Sequence, residues 1–243
     1  MSLVDRVKHF FSNTDGTREQ DFFEVGFHGD EYLLTLVDHL IDRCDWFVET
    51  GTNVGSTLAY VGRTYPDVQC ISCEPDSDAA GHAKSHTENL SNVQVFEESA
   101  QTFLDRLDRT YDPLFSADRT LFWVDAHGYG FQWPLREEIA FLSERLERGY
   151  VLIDDFKVPG REEFGYGAYE DQVCSYEYIR DDIAEGWEHT LYYPGYTEHT
   201  SDHHPLRGWG LFAVGEDKTL QSLPKEVRTS VLPAEELMGT EEN

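Results

Sequence analysis

Between Asp45 and Asp155 the chain alternates five short apolar runs with four segments of helical periodicity. The runs are Trp46 to Thr50, Val68 to Glu74, Val93 to Glu97, Leu121 to Asp125 and Tyr150 to Asp154. The segments between them include Ser56 to Tyr65 and a stretch from Ser77 to about Leu90 behind Asp76 as N-cap. Two more follow, one holding Phe103, Leu104 and Leu107, the other opened by Pro134 and continuing through Ile139, Leu142 and Leu146. Parallel strands need crossovers long enough to hold a helix, so this order predicts a doubly wound α/β sheet covered on both faces.

The flanks read differently. Leu3, Val4, Val7, Phe10 and Phe11 recur at helical spacing, and so do Leu33, Leu34, Val37, Leu40 and Ile41 behind Asp30 as N-cap. Past Asp155, Phe156 to Gln172 reads as a long loop and Val173 to Ala184 as a helix. His189 to Tyr193 and Gly208 to Val214 then read as late strands, joined by Pro194 to Arg207, which is too long for a tight hairpin. No repeat or boundary divides the chain, so residues 1–243 are expected to form one domain. Its parts are N-terminal helices (1–45), a core (46–215) and an acidic C-terminal tail (216–243).

Charge excludes one class of partner. The chain has 47 acidic residues against 19 basic ones, a net charge of -28, and a nucleic-acid binder needs the opposite sign. An acid-rich, lysine-poor composition of this kind resembles proteins of salt-loving archaea, where concentrated salt screens the repulsion. No apolar run is long enough to cross a membrane and no signal-peptide pattern opens the chain, so a soluble cytoplasmic protein is expected. Self-association into a homo-oligomer is left open.

Cys70 and Cys73 have the spacing of a redox or zinc motif. They lie on a predicted strand, however, where residues three apart are about 10 Å distant and face opposite sides. Buried strand cysteines are the better reading.

The first run ends in the turn Glu49-Thr50-Gly51-Thr52-Asn53-Val54-Gly55, with Ser56 opening the helix. A glycine turn between strand and helix admits a ligand close to the backbone, beside free helix-terminal amides. A dinucleotide fingerprint would need glycines at 53 and 56, and a P-loop would need a Gly-Lys-Ser/Thr ending; neither is present. Glu49 would repel a pyrophosphate but can hold a cationic amine. Glu74, 23 residues after Gly51, ends the second strand where such folds place an acid against ribose hydroxyls. The third strand ends in Glu97-Glu98-Ser99-Ala100, from which a polar side chain can reach an adenine edge.

These residues carry a resemblance. Glu49-x-Gly51-x-x-x-Gly55, Ile71-Ser72-Cys73-Glu74 and Val124-Asp125-Ala126-His127 resemble motifs of class I S-adenosylmethionine-dependent methyltransferases, over about Trp46 to Asp155. The resemblance implies a Rossmann-like sheet of seven strands with the last antiparallel, helices on both faces and an N-terminal helical extension. It also implies S-adenosyl-L-methionine as cofactor, held by Glu49, Gly51, Thr52, Asn53, Gly55, Ser56, Glu74, Ser99 and Asp125. Glu49 and Gly51 would lie near the methionine amino group, Glu74 at the ribose and Ser99 near the adenine. Asn53 stands where that turn often carries a middle glycine.

Asp125 ends the fourth predicted strand and Asp154-Asp155 the fifth. Neighbouring strands lie about 4.8 Å apart, so the three carboxylates are expected to converge and to need a positive partner. Mg²⁺ or Mn²⁺ suits such an all-oxygen metal site. The arrangement is similar to metal-dependent O-methyltransferases of small molecules, including the macrocin-type sugar enzymes. That likeness implies a metal-bound acceptor hydroxyl and Asp125 or His127 as catalytic base. The bland alternatives are that Asp125 only contacts the cofactor and that Asp154 caps a loop.

His199, His203 and His204 sit with Asp202 in a polar segment without helical register, and read as a loop near the substrate. Acceptor recognition is expected from Phe156 to Tyr169, which carries Lys157, Arg161, Phe164, Tyr166 and Tyr169, and from Pro194 to Arg207. The expected activity is methyl transfer to a hydroxyl of a small molecule or sugar. The rivals are a metal-free methyltransferase, a non-catalytic cofactor- or sugar-binding protein, and a metal-dependent hydrolase or lyase.

Overall fold

The computed structural model describes residues 26–111, 113–116, 119–126, 133–196, 205–215 and 230–231. The first expected helix, His127, and His199 to His204 lie outside the described residues. Strands β1 (Trp46–Thr50), β2 (Gln69–Cys73), β3 (Val93–Phe96), β4 (Thr120–Val124) and β5 (Gly149–Ile153) match the five apolar runs. Late in the chain come β8 (His189–Tyr193), β9 (Gly210–Val214) and the two-residue β10 (Ser230–Val231). Together they make one sheet in the order β10-β8-β9-β5-β4-β1-β2-β3.

The first five strands pair in parallel. Strand β9 enters antiparallel between β5 and β8. The seven-stranded core sheet therefore has its last strand reversed, as expected, and β10 extends it within the segment read as an acidic tail. Order reverses between β1 and β4, and the crevice at such a reversal is where doubly wound sheets bind ligands.

Helix α1 (Glu31–Ile41) starts at Asp30, whose side chain accepts from the amides of Tyr32 and Leu33, and buries Leu33, Leu36, Val37, Leu40 and Ile41. Asp76 caps α3 (Ser77–Thr87) in the same way. Helix α2 (Ser56–Thr64) packs beside α3, and α4 (Ala100–Thr110) beside α6 (Leu135–Arg145). Right-handed crossovers put those two pairs on opposite faces of the sheet. The short helix α5 (Pro113–Ser116) precedes β4. Strands β4 and β5 are buried along their whole length, which is why they read as unbroken apolar runs rather than alternating ones.

The segment after β5 departs from expectation. Ala168–Tyr169 (β6) and Gln172–Val173 (β7) form a small hairpin, with Glu170 in the left-handed region at its turn. Val173 is thereby taken from the expected helix, which shrinks to α7 (Tyr176–Ile179) and a 3-10 turn at Arg180–Asp182. Ser175 caps α7 by accepting from the amide of Tyr178, a start that the apolar periodicity did not mark. All four cysteines are free and buried, so the spacing of Cys70 and Cys73 is a strand coincidence.

Candidate active site

The strand ends are level. Thr50 pairs with Cys73 on one side and Val124 on the other, and Val124 pairs with Ile153. Gly51, Glu74, Asp125 and Asp154 each follow that row by one residue, so four predicted site positions share one rim. The ladder continues into them: Gly51 N and Thr52 N donate to the carbonyl of Cys73 at 3.1 and 3.0 Å. Asp125 N donates to Thr50 O and Asp154 N to Val124 O, both at 3.0 Å.

Gly51 is required twice over. Its φ of +81° is one that side chains rarely adopt, and a Cβ there would lie 2.4 Å from the carbonyl oxygen of Asp125. Gly55, also left-handed, would set a Cβ 2.9 Å from Ala83 Cα. Helix α2 begins at Ser56 with no side chain capping its amides, which leaves its positive end toward the turn. Asn53 itself is left-handed, with φ +50°, and its N–H donates to Glu74 Oε2 at 2.8 Å. The other oxygen of Glu74 accepts from Asp76 N at 2.9 Å. A carboxylate oxygen accepts more than one hydrogen bond, so Glu74 can brace the turn and still receive ribose hydroxyls.

Glu49 lies beneath the turn, 2% exposed, and accepts from the Thr52 hydroxyl at 2.9 Å. Burial, reinforced by the nearby carboxylates Asp125 and Glu74 and only partly opposed by the Thr52 bond, pushes its carboxyl up to about 8. Burial likewise raises Glu74, against the two amides that favour its charged form. An acid held this far from water, with others beside it, favours a cationic partner. Ser99 stands at the same end of the sheet, where its hydroxyl accepts from Thr102 N at 3.3 Å and caps α4.

At β4 and β5 the acids are in other company. Asp154 accepts from His28 Nε2 at 2.7 Å. Burial alone would lower the His28 imidazole, but Asp154, with help from Asp125 and Asp155, outweighs it and raises the group to about 9. Asp155 is left-handed, φ +54°, and meets Arg207 with both oxygens, at 2.6 Å from Nε and 2.8 Å from Nη2. Asp125 and Asp154 line one recess with Ala126, Trp133, Leu135 and Cys174.

The expected three-acid metal set is therefore not assembled. Among the described residues no three His, Cys, Asp or Glu side chains gather closely enough to hold an ion. The physical reason is local: the left-handed backbone at Asp155 hands its carboxylate to Arg207, and His28 occupies Asp154. Among the described residues this donor set does not fit a divalent cation.

Sequence reasoning missed His28, Arg207 and Cys174. His28 sits two residues before the recognised N-cap Asp30, yet nothing local tells that it reaches Asp154, 126 positions later. Arg207 entered only as the end of a loop, and Cys174 only within an expected helix. Among the described residues, three of the five non-glycine ones with positive φ, His28, Asn53 and Asp155, lie at this rim, where strained backbone tends to gather.

No protein-family model and no curated protein matches the sequence. Solved structures do match. A protein from Klebsiella pneumoniae described as a putative O-methyltransferase superposes with a TM-score of 0.56 at 16% identity, over 87% of this chain and 96% of that one. The O-methyltransferase TomG from Streptomyces achromogenes, involved in tomaymycin synthesis and solved with S-adenosylmethionine, gives 0.55 at 18% identity, over 89% and 100%. An O-methyltransferase from Bacillus cereus, in complex with S-adenosylhomocysteine, gives 0.55 at 16% identity, over 86% and 97%. The chain has the fold of the S-adenosylmethionine-dependent methyltransferases. At such identities the likeness speaks for fold, and activity has to be argued from the site.

Proposed function

We propose that this protein is an S-adenosylmethionine-dependent methyltransferase acting on a hydroxyl of a small molecule or sugar. The observation that carries the reading is the buried carboxylate of Glu49 directly under the glycine turn, with Glu74 bracing the same turn from the end of β2. A dinucleotide or triphosphate site would put anions there, whereas the amine of a methionine moiety supplies the positive charge that a buried acid beside other carboxylates favours. The structural neighbours described as bound to S-adenosylmethionine or S-adenosylhomocysteine support the same cofactor.

In this reading the cofactor supplies an electrophilic methyl group on a sulfonium. Gly51 gives backbone access, Glu49 holds the amino group, and Glu74 takes the ribose hydroxyls. Asp125, which lines the recess, would take the hydroxyl proton of the acceptor. The acceptor enters past the segment after β5, where Tyr166 and Tyr169 are exposed and the Lys157 ammonium lies 5.5 Å from the Tyr166 ring centre. Such a surface suits a planar or sugar ring.

Calorimetric titration of S-adenosylmethionine into the folded protein in concentrated salt tests the reading. Micromolar one-to-one binding is expected, weakened by Glu49→Gln. A folded protein that gives no binding heat removes it.

A further inference from the structure

The two carboxylates that end β5 are already taken by N–H donors of the chain itself. Asp154 is 5% exposed and its Oδ2 faces His28 Nε2 at 2.7 Å, while the guanidinium of Arg207 spans both oxygens of Asp155. A divalent ion binds carboxylate oxygen at about 2.0–2.6 Å, so an imidazole nitrogen seated 2.7 Å from Asp154 Oδ2 stands in the space that an ion would take at that oxygen.

His28 is held in place by more than this bond. Phe27, buried beside it, meets the Trp123 ring edge-on at 5.0 Å and the Phe47 ring at 6.3 Å, and its amide donates to Thr57 Oγ1 at 3.2 Å. On the other side Asp30 starts α1. The left-handed backbone of His28, φ +58°, is fixed between these two anchors and delivers the imidazole to the rim of β4 and β5.

We infer that His28 is a positioning residue that closes Asp154 to metal ions and orients its carboxylate beside Asp125, so that the acceptor site works without a divalent cation. This rests on the methyltransferase reading for its purpose, but its geometry and test do not need the cofactor. Arg207 does the same for Asp155, and the pair of them accounts for an acidic rim that otherwise invites an ion.

The test is Mn²⁺ binding followed by electron paramagnetic resonance on the full chain, comparing wild type, Asp154→Asn, His28→Ala and His28→Gln. The acidic surface binds Mn²⁺ weakly everywhere, so Asp154→Asn serves as the subtraction. Wild type and Asp154→Asn are expected to bind alike. His28→Ala should gain a site at least about tenfold tighter than wild type, because a donor facing Asp154 is gone. His28→Gln keeps an N–H donor and should stay like wild type, an outcome that a purely structural role for the ring would not produce. A stoichiometric Mn²⁺ site in wild type that Asp154→Asn removes would overturn the inference. So would a His28→Ala protein no different from wild type. Should His28→Ala not fold, the wild-type and Asp154→Asn comparison decides alone. Failure to bind S-adenosylmethionine would sink the methyltransferase reading and leave the Mn²⁺ result standing.

Discussion

The Tyr196 hydroxyl donates to Asp30 Oδ2 at 2.6 Å across 166 residues of chain. The other oxygen of Asp30 caps α1, accepting from Tyr32 N at 2.9 Å and Leu33 N at 3.2 Å. Trp209 Nε1 in turn donates to the Tyr196 oxygen at 3.0 Å, and the Tyr196 ring stacks on Tyr32 at 4.6 Å. One carboxylate thus begins a helix, ties it to the segment after β8 and fixes the bend that presents His28.

Tyr196→Phe keeps the stacking but removes the hydroxyl that links Asp30 to Trp209. Losing a hydrogen bond to a charged group and stranding a buried indole N–H is expected to cost about 2–3 kcal/mol, read as a lower denaturant midpoint at unchanged slope. An unchanged midpoint would show that the loop is not coupled to α1.

Two glycines separate strain from collision. Gly51 and Gly160 both have positive φ, but nothing lies within 4 Å of a Cβ at Gly160, whereas one at Gly51 meets the Asp125 carbonyl. Gly160→Ala should cost about 1 kcal/mol, the strain alone. Gly51→Ala should cost about 3 kcal/mol and abolish S-adenosylmethionine binding, since the strand ends must move apart. Chemical denaturation and calorimetry read the two effects, and equal costs would contradict the close approach.

Glu49 makes stability fall with rising pH. Its folded carboxyl stays protonated up to about 8, above the ordinary value of 4.5, so the folded state binds the extra proton in between. The sign follows: this contribution is complete below about 4.5 and is lost as pH rises through 8. Glu49→Gln, which still accepts from Thr52, should be more stable than wild type by about 5 kcal/mol at pH 9 and no different at pH 4. Cofactor binding near pH 7 should release a proton that the Gln variant does not, measured by calorimetry in buffers of different ionisation enthalpy.

The net charge of -28 gives a prediction in salt. Raising KCl from about 0.1 to 1 M shortens the screening length from about 10 to 3 Å, so like-charge repulsion across the surface should weaken. Thermal unfolding is expected to move up by several degrees, and a midpoint that falls with salt would count against a halophilic surface.

The five parallel strands and the helices between them, the caps Asp30 and Asp76 and the glycine turn were legible in the sequence, because each depends on periodicity or backbone chemistry within a few residues. The rim positions Gly51, Glu74, Asp125 and Asp154 followed, since parallel register makes strand ends level. The small hairpin at 168–173 was not legible, as its two-residue strands carry no period. Nor was the strand at Ser230–Val231, which exists only by pairing with β8.

What the sequence determined by itself was the α/β order and the place where a cofactor belongs. What only the tertiary structure decided was the company of the acids. Carboxylates attract whichever cation or donor the fold brings near, and a contact such as His28 with Asp154 leaves no trace in local spacing.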